Sequence, residues 1–122
     1  LPEQAAAYPS LPEAGAIEDF FELARAFPDY PLIAAHCANK YAVELAEGTK
    51  GLDNVYTDTT LCSAERMLES VERLGEDKVL FGTDYPFSSL HDALREVDRA
   101  FPEESPRKDR LLYGNAARLL KL

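Results

Sequence analysis

Two residues stand where a chain of this kind could do chemistry. His36 follows directly on the apolar run Leu32-Ile33-Ala34-Ala35, and Asp84 comes three residues after the run Val79-Leu80-Phe81. An imidazole and a carboxylate delivered to the ends of neighbouring strands can ligate a divalent metal, or activate a water as base and orienter. In parallel α/β architectures the C-terminal strand ends are where ligands and reactive groups gather. Gly82 permits close backbone approach just before Asp84, and Pro86 ends the strand soon after it. Each residue also has a plain structural reading: His36 as a hydrogen-bonded, partly buried histidine, and Asp84 as a turn or cap residue.

A third carboxylate, Asp58, lies at the end of the run Val55-Tyr56-Thr57. With Val55 and Val79 level, Thr60 aligns with Asp84, and alternation puts Asp58 on the same face but deeper. It reads either as a partner that orients a site residue from behind or as a strand-end carboxylate in a turn. The other candidates are weaker. His91 falls inside a helix, with no ligand at a useful spacing. Cys37 is expected to point away from His36, and Cys62 to lie in a loop, both as small buried hydrophobes. The run Arg107-Lys108-Asp109-Arg110 reads as a solvated helix face.

The elements that must position these residues alternate along the chain. The apolar runs begin at Leu32, Val55 and Val79, too far apart for hairpins but with room for parallel crossovers. The first and third lack alternation, as strands covered on both faces do. Between them lie amphipathic stretches. Ile17, Phe20, Phe21, Ala24 and Phe27 keep a helical stripe that Pro28 ends. Ser63 can cap a helix carrying Met67, Val71 and Leu74, which Gly75 closes. Ser89, with Asp92 three residues on, opens a helix bearing Leu90, Leu94, Val97 and Phe101. Ser105-Pro106 opens a short helix, and Asn115 is expected to cap a last one with Leu119, Leu120 and Leu122. Residues 39–48 give a weaker helical pattern. The order is that of an α/β parallel sheet in one domain, residues 13–122, behind an irregular extension over residues 1–12.

Composition fits a water-soluble domain: 46% hydrophobic and 29% charged, with no apolar run near the roughly 20 residues of a membrane span. The start of the chain does not read as a secretory leader. A net charge of −9 argues against nucleic acid, whose phosphates call for clustered Lys and Arg. Two cysteines without a CxxC pair suggest reduced thiols and a cytoplasmic setting.

Several stretches resemble one family. Phe27-Pro28-Asp29-Tyr30-Pro31-Leu32-Ile33-Ala34-Ala35-His36 resembles the approach to the sixth strand of the amidohydrolase-related superfamily, which includes the aminocarboxymuconate-semialdehyde decarboxylase-like branch. Asn54-Val55-Tyr56-Thr57-Asp58-Thr59 resembles its seventh strand. Gly75-Glu76-Asp77-Lys78-Val79-Leu80-Phe81-Gly82-Thr83-Asp84-Tyr85-Pro86-Phe87 is similar to its eighth, which ends in a metal-binding aspartate. Asn115-Ala116-Ala117-Arg118-Leu119-Leu120 resembles its terminal helix. The resemblance implies a partial TIM (βα)₈ barrel, strands six to eight with their helices. A full barrel takes about 250 residues.

It further implies metal-dependent hydrolysis, or decarboxylation, of a small carboxylated or amide or ester substrate. Asp84 would bind the metal and help activate the water. His36 would contact the metal, the water or the substrate. One divalent ion, zinc for preference, belongs to the complete barrel and is not expected to bind tightly to this chain alone. The family's His-x-His pair and fifth-strand histidine have no counterpart among the two histidines here, and its Gly-rich continuation after the sixth-strand histidine is replaced by Cys37-Ala38-Asn39-Lys40-Tyr41. Two hypotheses follow. One is part of an active site whose remaining ligands lie elsewhere. The other is a non-catalytic half-barrel that self-associates, or binds a protein partner, through open strand edges. Either way the expected partner is another copy or the missing part of the barrel.

Overall fold

The computed structural model describes residues 16–122, so the expected irregular extension over residues 1–12 lies outside the described residues. Helix α1, Ile17–Ala26, buries Ala24 and lays Ile17, Phe20 and Phe21 against the core. It stops as its apolar stripe and Pro28 dictate. Asn54, just before the second strand, fixes the exit: its Nδ2 donates to the carbonyls of Ala24, Phe27 and Tyr30 at 3.0–3.1 Å. One side chain thus satisfies the helix end and the turn into the sheet.

The sheet has three parallel strands in sequence order: β1 (Leu32–Ala34), β2 (Val55–Asp58) and β3 (Val79–Leu80). Leu32 pairs with Val55, and Thr57 with Val79. Val79 is therefore level with Thr57, two residues further on than the register assumed from sequence, and Asp58 pairs with Leu80.

One face, with Leu32, Ala34, Val55, Thr57 and Val79, packs under the helices. Two apolar clusters form there. The first joins α1, β1, β2 and helix α2 (Ala42–Gly48) through Ala24, Leu45 and Val55. The second joins β3 with α3 (Ala64–Leu74) and α4 (Leu90–Ala100) through Met67, Val71, Val79, Val97 and Phe101. The opposite face carries Ile33 level with Tyr56, and Asp58 level with Leu80, and Ile33 is 46% exposed. β1 is thus covered on one face, not on both as its unalternating sequence suggested.

The helix ends follow local chemistry. Ser63 accepts from the backbone of Arg66, Ser89 from Asp92 and Ser105 from Lys108. Gly75 closes α3 with φ +104°. Leu90 and Leu94, expected in the buried stripe of α4, are exposed instead.

The C-terminal region departs from the sequence reading twice. α5 (Pro106–Asp109), a π-helical turn (Arg110–Gly114) and α6 (Asn115–Leu119) run on as one helical rod, so Asn115 caps nothing. Its buried side chain instead donates to the carbonyls of Glu76 (2.7 Å) and Val79 (2.9 Å). The backbone N–H of Phe81 donates to the carbonyl of Leu111 at 3.1 Å. The rod therefore occupies the outer edge of β3, which the sequence had left open.

The basic run is a solvated face at Arg107 and Asp109, half-buried at Arg110, and departs from that reading at Lys108. Lys108 is 4% exposed between Asp98 (2.8 Å) and Glu104 (3.1 Å), while Arg107 and Arg110 both reach Glu76. Those neighbouring carboxylates raise the Lys108 ammonium above its ordinary pKa, Asp98 most.

Candidate active site

All three strands hand over to their loops through residues with left-handed backbone. After β1 come four in succession, His36, Cys37, Ala38 and Asn39, with φ between 52° and 62°. Leu61 follows β2 at φ 56°, and Asp84 follows β3 at φ 59°. Non-glycine residues in this region are strained, and such strain gathers at functional sites. The stretch Cys37-Ala38-Asn39-Lys40-Tyr41, where the sequence resemblance implied glycines, thus begins with backbone that favours glycine.

Asp58 holds this turn in place. Its Oδ1 accepts from the backbone N–H of His36 (2.9 Å), the N–H of Thr60 (3.1 Å) and the Thr60 hydroxyl (2.5 Å). The two roles considered for Asp58 coincide in one geometry: a local Asx-type turn onto Thr60 and a support for the His36 loop. Thr60 in turn meets His36 Nδ1 twice, through its carbonyl at 3.0 Å and its hydroxyl at 2.7 Å. A carbonyl only accepts, so Nδ1 carries a proton. The other ring nitrogen, Nε2, has no hydrogen-bond partner among the described residues, and in the neutral ring it is a free lone pair, the form that can ligate a metal or take a proton.

Asp84 reaches the same C-terminal edge of the sheet as His36. Its side chain is exposed, its carbonyl accepts from the N–H of Phe87 at 2.9 Å, and no hydrogen bond joins it to the His36–Asp58–Thr60 group. The site residues from β1 and β2 are in contact, then, and Asp84 stands apart from them. Gly82 works as its type implied, but towards a different neighbour. A Cβ at Gly82 would lie 2.6 Å from Cγ2 of Thr60. Its N–H donates to the Thr59 hydroxyl at 3.2 Å, tying β3 to the loop that carries Thr60.

Thr60 was missed as a functional candidate. The signal available was local, an Asp followed two residues later by a hydroxyl residue; the longer contact to His36 needs the fold.

The remaining candidates fall in place. His91 is an exposed helix residue beside Arg95, whose Nη2 lies 3.0 Å from its Nε2. Cys37 and Cys62 are both free and buried, and they meet. A hydrogen bond with Cys37, then burial and the nearby charge of Asp58, push the Cys62 thiol far above its ordinary pKa. An inert buried thiol is the result.

The donors fit a divalent metal in kind and not in number. A catalytic zinc keeps about three protein ligands, and among the described residues no group of three His, Cys, Asp or Glu could hold an ion. The described side chains alone do not complete a metal site. Among the described residues no helix is long and apolar enough to cross a membrane.

Comparison with known proteins decides the family. The Amidohydrolase family (Amidohydro_2) matches residues 12–122. The chain belongs to the amidohydrolase family. No curated protein matches it. Among solved structures, Amidohydrolase 2 from Bifidobacterium longum subsp. infantis superposes with a TM-score of 0.71 at 16% identity, over 92% of this chain and 49% of that one. An uncharacterised TIM-barrel protein from Bordetella bronchiseptica gives 0.71 at 22% identity, over 86% and 39%. A dihydroxybenzoic acid decarboxylase from Polaromonas sp. JS666, with bound manganese and the inhibitor 2-nitroresorcinol, gives 0.69 at 18% identity, over 100% and 47%. This amidohydrolase chain spans less than half the length of each. Its open three-stranded sheet is part of a TIM barrel.

Proposed function

We propose that this chain supplies part of the active site of a metal-dependent hydrolase, or decarboxylase, acting on a small carboxylated, amide or ester substrate. Asp84 and His36 are its contributions to a site with one divalent ion, and Asp58 supports His36 from behind. The observation that carries the reading is the His36 ring. Its Nδ1–H is committed to Thr60 and its Nε2 is free, at the sheet edge where Asp84 also stands.

The remaining ligands come from the other barrel strands, in a segment outside this sequence or on another chain. With both present, zinc, or manganese as in the Polaromonas relative, would polarise the substrate and lower the pKa of a bound water. The substrate class is drawn from the family and from the similar structure whose name gives a carboxylated substrate, dihydroxybenzoic acid. A cytoplasmic setting accords with the two free thiols.

A second reading has its own support. Beside the outer edge of β1 lies an apolar groove of about 340 Å³, lined by Ile17, Phe20, Leu23, Ile33 and Ala34 among others. A half-barrel that associates through this edge, without catalysis, would use the same surface.

Metal content and mass of the purified assembly separate the two. The enzyme reading expects one divalent ion per complete barrel, with release of CO₂ from a dihydroxybenzoate or cleavage of a small amide or ester. It also expects both to disappear with Asp84→Asn. A complete barrel containing this chain that stays metal-free and inactive after metal addition would refute it.

A further inference from the structure

We propose that Thr60 is a positioning residue for His36, linking the Asp58 carboxylate to the imidazole through its hydroxyl and so fixing which ring nitrogen is offered to the site. The inference deepens the reading above and rests on His36 being the site histidine.

A threonine hydroxyl has one proton and two lone pairs. The proton lies on the line to Asp58 Oδ1 at 2.5 Å, and a carboxylate can only accept it. The hydroxyl therefore meets Nδ1 at 2.7 Å as an acceptor. Together with the Thr60 carbonyl at 3.0 Å, it gives the single Nδ1–H two acceptors from one residue. Asp58 also anchors the backbone of both partners, His36 at 2.9 Å and Thr60 at 3.1 Å. The arrangement is a carboxylate–histidine pair with a hydroxyl inserted. In metal sites an outer acceptor of this kind sets the tautomer and the ring orientation.

Two neighbours restrict the threonine itself. Its rotamer is held by the bonds to Asp58 and His36. Its methyl occupies the space that a side chain at residue 82 would need, since a Cβ there would sit 2.6 Å away. Gly82 thereby becomes part of the device without touching the histidine. A merely structural threonine would tolerate Thr60→Val, which keeps the branched shape. A positioning threonine would tolerate Thr60→Ser, which keeps the hydroxyl.

The test is a long-range ¹⁵N–¹H correlation spectrum of the imidazoles in the full chain, in alkaline buffer. The chain has only two histidines, and His91→Gln assigns them. The wild type and Thr60→Ser should show His36 with Nδ1 protonated and Nε2 bare. Thr60→Val should move the tautomer ratio towards Nε2–H by roughly tenfold, about what one hydrogen bond is worth. Gly82→Ala should move it the same way.

A wild-type ring in the Nε2–H form overturns the proposal without any variant. So does an unchanged ratio in a folded Thr60→Val. If the valine variant fails to fold, Gly82→Ala and the wild-type spectrum decide. Broadening of the His36 signals by added Mn²⁺ reads the metal role separately. A ring held as Nδ1–H but untouched by Mn²⁺ in the complete barrel would keep the role of Thr60 and remove His36 from the metal site.

Discussion

Asn115 offers the sharpest test of how the C-terminal rod is held. Its side chain is fully buried and donates to two backbone carbonyls, Val79 at 2.9 Å within the core and Glu76 at 2.7 Å nearer the surface. Asn115→Ala removes both donors. The Val79 carbonyl is then left buried without a partner, at a cost of about 1–3 kcal/mol. The Glu76 carbonyl can turn to water, so its loss is nearer the net worth of one hydrogen bond, about 0.5–1.5 kcal/mol. The sum is about 2–4 kcal/mol, a large share of a small domain's stability.

Asn115→Asp is nearly isosteric and should be worse at neutral pH. It sets a carboxylate oxygen against two carbonyls where the amide had donated, a repulsion that the Arg118 guanidinium, 3.3 Å from Asn115 Oδ1, offsets only in part. Burial raises the pKa of such a carboxyl, so its penalty is full above that raised pKa and shrinks as the pH falls from there to the ordinary aspartate range, where a proton again gives a donor. Urea unfolding at neutral and acid pH measures both variants, with the slope m expected to stay constant. An alanine variant within about 0.5 kcal/mol of wild type, or an aspartate variant no worse than alanine at neutral pH, would refute this account.

Other expectations follow from the same structure. Asn39 has φ 53° and ψ −121°, a region suited to glycine, and its buried Nδ2 has no partner. Asn39→Gly should therefore stabilise the chain by about 1–2 kcal/mol, read as a higher urea midpoint. The Cys62 thiol keeps its proton in the folded state to higher pH than in the unfolded chain. Its contribution is complete below about pH 8.5 and should fall by about 1.4 kcal/mol per pH unit above that, a slope that Cys62→Ala removes from the alkaline denaturation profile. Asp84→Asn should leave stability within about 0.5 kcal/mol in thermal melts, because the side chain is exposed. An appreciable loss would mean that Asp84 holds the loop and not a ligand.

What the sequence disclosed was what short-range chemistry determines. Ser63, Ser89 and Ser105 cap helices because their partners sit three residues away, and the three strands were visible as apolar runs with crossover spacing. The strand register was not visible: nothing local distinguishes Val79 level with Val55 from Val79 level with Thr57. Asn115 reads as a cap in one dimension, because its partners, Glu76 and Val79, lie far back in the chain. Lys108 reads as solvated for a different reason: Glu104 is close in sequence, but the burial between it and Asp98 comes from how α4 packs against α5. At the site, His36 and Asp84 were legible from their places after strands. Thr60 was not, since its contact with His36 depends on which residue of β2 ends beside which residue of β1.

The rod that lies along β3 also limits how many chains could ever join. A sheet with two bare edges can add neighbours head to tail without end, the geometry of a filament. Here the Val79 carbonyl and the Phe81 N–H are already taken by Asn115 and Leu111. Among the described residues, the β1 side is the edge left to receive a strand. If the chain associates as a half-barrel, a single receptive edge would let it pair with one neighbour across a two-fold axis, and growth would then stop. Asn115 and the Leu111 carbonyl act in this respect as a chain terminator, keeping a half-barrel from becoming a fibre.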